Sequence, residues 1–131
     1  MIANDVEGVR RVLALYCQLM DDGRYDEVAQ LFDPEGRWTV MGKTYAGVDE
    51  IRGLMSSWPS PAGTKHLTVN SIIDIDGELA AAVSDFVVVQ GTEVGGVVHR
   101  SGRYHDTLRR DSSGRWMFLA RDNRGSSLVG G

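Results

Sequence analysis

Two hydrophobic periodicities follow one another along this chain, and their order limits the folds that it can adopt. From Val6 to Met20, apolar residues recur at every third or fourth position, which predicts an amphipathic helix. The same spacing returns from Tyr25 to Phe32, where Pro34 is expected to end the helix, and again from Val48 to Trp58. The first half of the chain is therefore predicted to hold a helical hairpin and a third helix.

Strand-like segments fill the remainder of the chain, and turns rich in glycine separate the long ones. We predict short strands at 37–41 and 44–45 and long strands at 66–75, 79–90, 97–109 and 116–121. Helices gathered first and antiparallel strands last predict an α+β fold, with the helices packed on one face of a sheet. At 131 residues the chain is expected to form one domain, 1–131, with 125–131 as a flexible tail.

The charge balance argues against nucleic acid as a partner. The chain has 14 Lys and Arg residues against 18 Asp and Glu residues, a net charge of −4, and no segment concentrates the basic ones. Membrane insertion is not expected either, because apolar runs such as Phe86–Val89 are far shorter than the roughly 20 residues of a membrane span. The acidic N-terminus does not resemble a signal peptide, so we expect a cytoplasmic protein.

Metal and cofactor chemistry find no support in the sequence. Cys17 is the only cysteine, so it has no internal disulfide partner, and its apolar neighbours predict a small buried residue. Neither His99 nor His105 stands at a metal-ligand spacing from another His, Cys or acid, so no metal is predicted. The chain has no glycine-rich phosphate loop and no acyl-enzyme motif, so no cofactor is predicted.

Two adjacent acids, Asp21 and Asp22, close the first helix, and their helical stripes differ. Asp21 follows Cys17 and Ala14 at four and seven residues, a small apolar stripe, whereas Asp22 lies on a mostly polar stripe with Gln18. A buried carboxylate needs a hydrogen-bonding or charged partner, such as a histidine. Asp21 is therefore the better candidate for burial. The alternative is that both acids end the helix in solvent.

His66 begins the first long strand, on the strand face that also carries Thr68, Asn70 and Ile72. The opposite face, at positions 67, 69, 73 and 75, is more apolar. The more polar set is either a wet surface or the wall of a pocket. An isolated histidine at the start of a strand is by itself weak evidence for catalysis.

Several stretches of the sequence together resemble the SnoaL-like families of the nuclear transport factor 2 superfamily. They are DDGRYDEVAQLFDPEGRW, TYAGVDEI, KHLTVN and GRYHDTLRRDSSGRWMF. The resemblance covers roughly positions 6–124 and implies a cone-shaped α+β barrel, in which a curved, mostly antiparallel sheet wraps around the N-terminal helices and a pocket. It implies a fold more specifically than a function, because one scaffold hosts isomerases, dehydratases, cyclases and non-catalytic proteins.

Within that superfamily the chain is most similar to scytalone dehydratase, hexachlorocyclohexane dehydrochlorinase and bile-acid 7α-dehydratase. Their shared aspartate after the first helix and histidine at the first long strand match Asp21 and His66. The dehydrochlorinase also resembles the chain in WTV followed by G-x-T-Y-x-G, in the spacing of His66 and Asn70, and in an arginine after the last strand's tryptophan, here Arg121. A pocket tyrosine of the bile-acid dehydratase matches Tyr16.

The chain departs from the two dehydratases at polar positions. Val40 stands where they carry a pocket tyrosine, in the strand after the helical hairpin. The second histidine of scytalone dehydratase is replaced near Ser101 and Gly102. A polar hydration-dehydration site is thus incomplete, which leaves the substrate and the reaction open.

The resemblance implies a cofactor-free lyase or isomerase, of dehydratase or dehydrohalogenase type, that acts on a small apolar molecule. Asp21 would accept the Nδ1 proton of His66 and leave Nε2 as the general base. Arg121 would stabilise the departing group, and Tyr16 would donate a hydrogen bond to the substrate. The residues predicted to bind the substrate are Val40, Met55, Asn70 and Phe86.

Other interpretations stay open at this point. Tyr16 also fits an apolar core, and Arg121 can pair with Asp85, Asp106 or Asp122. The chain can be a small-molecule-binding or assembly protein without chemistry, or a polyketide-cyclase-like enzyme in which an acid transfers the proton. Members of the superfamily commonly dimerise through the outer face of the sheet, so we expect a homodimer through that face.

Overall fold

The structure, a computed structural model, describes residues 2–126 of the chain. The order of helices and strands follows the prediction. The helices are α1 (Ile2–Asp21), α2 (Tyr25–Ala29) and α3 (Val48–Met55), and the strands are β1 (Phe32–Val40), β2 (Lys43–Ala46), β3 (Thr64–Asp76), β4 (Leu79–Thr92), β5 (Gly95–Arg110) and β6 (Trp116–Gly125).

Over the described residues, these strands form a six-stranded sheet in the order β2-β1-β6-β5-β4-β3. β1 and β6 are parallel, and every other neighbouring pair is antiparallel. α1 packs against the edge strand β3 and also against the more central β6, so the sheet curves around the helix. This arrangement confirms the predicted α+β fold, with a curved, mostly antiparallel sheet around N-terminal helices.

The core lies between α1 and the concave face of the sheet. The buried stripe of α1 keeps the predicted spacing because only one side of a helix of 3.6 residues per turn can face the sheet. Each large apolar side chain that is fully buried contributes about 1.5–3 kcal/mol. The buried α1 residues are Val9, Val12, Leu13, Tyr16, Cys17 and Met20, and those on the sheet include Phe32, Trp38, Phe86, Tyr104, Leu108 and Phe118.

The second helix is shorter than its sequence pattern predicts. α2 ends at Ala29, and Phe32 instead begins β1, where it pairs with Phe118 of β6. The chain becomes extended here because the strand places Phe32 in the core, where it is fully buried. Pro34 lies inside β1 and does not end a helix. The β1–β6 register shifts between Phe32 and Arg37, so Pro34 sits in an irregular part of the strand that tolerates a missing N–H.

Other boundaries differ from the sequence pattern by a few residues. α1 begins earlier than predicted, and α3 ends at Met55 rather than at Trp58. β4 extends to Thr92 and β5 begins already at Gly95, because backbone pairing between them continues where the alternating sequence pattern has ended. β6 runs through Gly125, which the sequence assigned to a tail, and positions 127–131 of that predicted tail lie outside the described residues. None of the helices in residues 2–126 is long and apolar enough to cross a membrane.

A bulge in β3 changes which face its residues occupy. The pairing with β4 shifts between Val69 and Ile72, and Asn70 within the bulge has a positive φ of 54°. Leu67 and Val69 face outward before the bulge, and Ile72 faces outward after it, with 65 % of its surface exposed. Positions 73 and 75 turn towards the core instead. The single polar face predicted from simple alternation is therefore wrong beyond Thr68.

Gly102 of β5 leaves room for an aromatic stack in the core. A Cβ atom at this position would lie 2.6 Å from the ring of Phe86 and would also meet the carbonyl oxygen of Arg124. Phe86 stacks on Tyr104 with 4.4 Å between the ring centroids. Packing therefore requires the glycine at this position.

We predict that Gly102→Ala destabilises the protein by about 1–3 kcal/mol, because the added methyl group overpacks the stack. Gly125→Ala is the matched control, since Gly125 is the cross-strand partner of Gly102 and a Cβ there meets no atom of residues 2–126 within 4 Å. We expect it to change the free energy of unfolding by no more than about 0.5 kcal/mol. Urea denaturation measures both, and equal losses would contradict the packing argument.

Candidate active site

One carboxylate oxygen of Asp21 makes two contacts with His66. Oδ1 accepts a hydrogen bond from the backbone N–H of His66 at 2.8 Å, and it lies 2.7 Å from the ring atom Nδ1. The two side chains are only 7 % and 8 % exposed. The two predicted residues are therefore in contact and nearly buried, whereas Asp22 is exposed, as its polar stripe indicated.

The edge position of β3 explains why the helix meets the strand in this way. In the described part of the chain no strand lies on the outer side of β3, and the backbone N–H of His66 takes the last residue of α1 as its partner. We call each such contact between a side chain of α1 and β3 a rung. A second rung lies one helical turn earlier in α1, where Cys17 Sγ is 3.1 Å from Thr68 Oγ1. Four helix residues rise about 6 Å and two strand residues about 6.6 Å, so both rungs fit together.

The Cys17–Thr68 rung was missed by the sequence reasoning, which correctly predicted a buried Cys17 but treated it only as a small hydrophobe. Its spacing from Asp21, i and i+4 on α1, matches the i and i+2 spacing of Thr68 and His66 on β3. That match of spacings was the available signal. Side chains of α1 thus take the place of a neighbouring strand along this edge.

His66 is held in a state suited to accepting a proton. Burial lowers the pKa of its imidazole, against the opposing effect of Asp21, and the positive charges of Arg100 and Arg121 lower it further. The ring is therefore neutral at pH 7, and the contact with Asp21 assigns its proton to Nδ1. Nε2 is buried and has no hydrogen-bond partner among residues 2–126.

Tyr16 lies at the centre of an aromatic cluster that separates His66 from Arg121. Its ring meets the imidazole of His66 edge-on at 6.4 Å between centroids, and it makes similar contacts with Trp38, Tyr104 and Phe118. Burial raises the pKa of its phenol, so the hydroxyl is a neutral donor. The residue belongs to the core and also touches both candidate functional groups.

Arg121 is buried completely, with its guanidinium inside the aromatic cluster. The Cζ atom lies 3.5 Å from the ring centroid of Tyr104, 4.0 Å from that of Tyr16 and 4.6 Å from that of Phe118. Such cation-π contacts stabilise a desolvated cation by about 2 kcal/mol or more. Its ion-pair partner is Asp106, its cross-strand neighbour on β5, with 3.2 Å between Nε and Oδ1 and both side chains 0 % exposed.

Asp85 and Asp122, which the sequence left as alternative partners, pair with other arginines. Asp85 accepts hydrogen bonds from Arg103, and Asp122 from Arg124. Burial raises the pKa of Asp106 to about 6, against the opposing charge of Arg121. Burial is the largest single influence on Arg121 and opposes its charge, but Asp106, Tyr104, Tyr16 and Cys17 together outweigh it, so the pKa of Arg121 is raised.

The remaining predicted residues divide into core and surface. Met55 is fully buried, Phe86 is buried in its stack on Tyr104, and Val40 is partly buried at the edge of the core. Asn70 requires a correction, because the bulge turns it away from His66 to the exposed outer face. There its amide donates a hydrogen bond to Asp85 at 3.1 Å.

A groove of about 580 Å³ runs between α1 and the free edge of β3. Asp21, His66, Cys17 and Thr68 all contribute to its walls, and Arg10 and Lys65 add positive charge. The dyad is thus reached from the outer side of the sheet edge, while Nε2 of His66 is buried. Across the described part of the chain, no group of three or more His, Cys, Asp or Glu residues is placed to hold a metal ion.

We predict that Asp21→Asn lowers the pKa of His66 further, because the substitution removes the charge that favours the imidazolium. A titration of the imidazole resonances by NMR measures this shift. Asp22→Asn is the control and should leave the titration unchanged, since Asp22 is exposed and adjacent in sequence. An unaltered titration in Asp21→Asn would show that Asp21 does not affect the protonation of the His66 imidazole.

Comparison with solved structures gives close agreement in fold. A protein of unknown function from Mycobacterium tuberculosis is 25 % identical, with a TM-score of 0.85 over 95 % of this chain and 73 % of the other. An NTF2-like protein with a cystatin-like fold from Novosphingobium aromaticivorans is 25 % identical, with a TM-score of 0.86 over 98 % and 86 %. A scytalone dehydratase-like protein from the same organism is 20 % identical, with a TM-score of 0.80 over 95 % and 86 %.

A search of the curated proteins found no match. The family model described as the SnoaL-like domain matches residues 1–122, nearly the whole chain. The helix order, the curved sheet and these structural neighbours agree with that match. The chain therefore belongs to the SnoaL-like family and has the NTF2-like, cystatin-like fold.

Proposed function

We propose that this protein is a cofactor-free lyase or isomerase that removes a proton from a small, largely apolar substrate. One observation carries the proposal: Nδ1 of His66 lies 2.7 Å from Oδ1 of Asp21, and Nε2 is buried with no hydrogen-bond partner in the described residues 2–126. A buried acceptor without a partner is costly in a folded protein, and active sites are where such costs concentrate. The scytalone dehydratase-like structural neighbour and the SnoaL-like family support an elimination or isomerisation.

The proposed reaction begins with proton abstraction. Nε2 of His66 takes a proton from a C–H group of the substrate, and Asp21 stabilises the imidazolium that results. The electron pair of the broken C–H bond forms a new double bond, while the bond to a leaving group on the adjacent carbon breaks and its electrons depart with that group. In an isomerase, the proton returns from Nε2 to another carbon.

Two further residues act on the substrate in this proposal. Arg121 stabilises the departing anion, since a fixed cation in a water-poor interior acts strongly on developing charge. Tyr16 donates a hydrogen bond. Met55, Phe86 and Val40 supply apolar contact for the substrate. A positioned base contributes about 10²- to 10⁴-fold to a rate, so the substrate should have an activated C–H bond.

We predict that His66→Ala abolishes turnover. The assay uses a panel of small alicyclic ketones with a hydroxyl or chloride on the β carbon, and ultraviolet absorption detects the conjugated product. For a substrate that the native protein converts, kcat/KM should fall by about 10²- to 10⁴-fold in His66→Ala. His99→Ala, at an exposed strand position, is the control and should keep full activity.

The pH dependence gives a second readout on the same substrate. Because the pKa of His66 is lowered, its base form persists below pH 6.5, and kcat/KM should fall only as the pH drops below about 6.5. Stability has the same sign: the unfolded chain binds this proton better, so protonation of the unfolded chain below about pH 6.5 favours unfolding.

Other outcomes identify the alternative functions. Ligand affinity that persists in His66→Ala, with no turnover in either protein, indicates a binding or assembly protein. Activity that survives the substitution indicates a polyketide-cyclase-like mechanism with an acid as the proton carrier. The cytoplasmic location stays a prediction.

We also propose a homodimer through the outer face of the sheet. Apolar residues of β3 and β5 are exposed there, and the partly buried Val87 of β4 is the cross-strand partner of Leu67 on the same face. A second copy of the chain would cover this patch and bury its apolar surface. The patch consists of Leu67, Val69, Ile72, Val87 and Val98.

We predict that Ile72→Lys weakens self-association, because it places a charge within the outer patch. Sedimentation velocity at several protein concentrations should show dimer for the native protein and a shift towards monomer for the variant. Val94→Lys is the control, since Val94 is even more exposed than Ile72, 98 % against 65 %, but lies at the tip of the β4–β5 hairpin. A native protein that sediments as a monomer at every concentration excludes this interface.

A further inference from the structure

The buried pair of Asp106 and Arg121 leaves its hydrogen-bonding capacity unused. Within residues 2–126, none of the three guanidinium nitrogens of Arg121 has a hydrogen-bond partner, and neither carboxylate oxygen of Asp106 has one. The two groups attract each other at 3.2 Å, but without hydrogen-bond geometry. Buried guanidinium groups normally have their donors filled, so donors without partners in an interior call for an explanation.

The surroundings supply aromatic faces but few charges. Tyr16 and Cys17 of α1, Tyr104 of β5 and Phe118 of β6 surround the guanidinium. The charged or titratable groups that act on the pair from further away are His66 of β3 and Asp122 of β6. Asp106 is thus the group that compensates the charge of Arg121 within the core.

That compensation sets a condition on any anion that approaches Arg121. With Asp106 ionised, an incoming anion meets a carboxylate beside the cation, and in a water-poor interior the repulsion is strong. With Asp106 protonated, the cation is uncompensated and its free donors can hold the anion. We propose that Asp106 and Arg121 form a proton-coupled anion site, in which a small anion binds Arg121 only together with one proton taken up by Asp106.

The ligand class follows from the chemistry of the pair. A halide, or another small monovalent anion, needs only the guanidinium donors and the aromatic faces around them. In the reaction, the occupant is the departing anion of the substrate, and in this respect the inference rests on the proposed function. Proton uptake at Asp106 would balance the charge that the leaving group brings into the core.

Linkage gives the expected size of the effect. Where Asp106 is ionised in the free protein, each unit of rising pH should weaken anion binding about tenfold, because one proton binds with each anion. Where Asp106 is already protonated, the affinity should become independent of pH. Since burial raises the pKa of Asp106 to about 6, the change between these regimes falls near that pH.

Chloride is the probe, and the excess line width of its ³⁵Cl NMR signal measures binding to the folded protein. We expect an excess for the native protein at about pH 5 that falls roughly tenfold per unit above about pH 6. The matched control is the double variant Asp106→Leu/Arg121→Met, which replaces the ion pair by apolar residues of similar size, an exchange that buried pairs tolerate. It should show only the surface background at every pH.

Two further variants separate the roles of the neighbouring groups. Asp106→Asn removes the titrating group, and if it folds it should bind chloride equally at both ends of the pH range. His66→Gln removes the other group that titrates in this range, and the chloride signal should keep its pH dependence. That result would leave the anion site standing even if turnover proves independent of His66.

Three results would overturn the proposal. The first is a native line width that equals that of the double variant at every pH, which means that no site exists. The second is an excess that does not change with pH, which means that Arg121 binds anions without a proton on Asp106. The third is a pH dependence lost in His66→Gln, which moves the proton to the imidazole.

Discussion

A single oxygen atom of Asp21 joins the first helix to the edge of the sheet, and the rest of the site depends on it. The same Oδ1 accepts the backbone N–H of His66 and contacts the ring at Nδ1. The backbone hydrogen bond fixes the position of β3 along α1, and the ring contact fixes which nitrogen of the imidazole faces inward. Position and protonation of the proposed base are therefore set by one side chain.

The interior beyond this contact combines aromatic packing with a buried charge pair. Tyr16 touches both His66 and Arg121, so the two proposed functional groups share one ring as a common wall. Burying Arg121 and Asp106 costs several kcal/mol per ion before their attraction is counted, and an apolar pair of similar volume would often be as stable. Because packing alone does not require this ion pair, the free-energy cost of burying it fits a functional role for the two residues.

The sequence predicted the features that follow from periodicity and missed those that depend on long-range pairing. Helical stripes distinguished Asp21 from Asp22, and the order of patterns gave the α+β fold. The bulge at Asn70 was missed although the alternation breaks there, since Asn70 and Ser71 are both polar and Ile72 and Ile73 both apolar. Only the pairing with β4 shows that this break is a bulge at which the strand changes face. Phe32 fits a helix locally and becomes a strand residue only because β6 lies beside it. Choosing Asp106 among three acids required the cross-strand register.

The double role of Asp21 has a consequence for how related sequences should be interpreted. A descendant that lost all chemistry would still need an acceptor for the exposed strand N–H at this edge, and an uncovered edge invites pairing with other chains. The aspartate would then persist for solubility alone. In a relative, an aspartate at the position of Asp21 therefore indicates only that the edge of the sheet is covered. Residues equivalent to His66 and Arg121 are not needed to cover that edge, so they are better markers of retained activity.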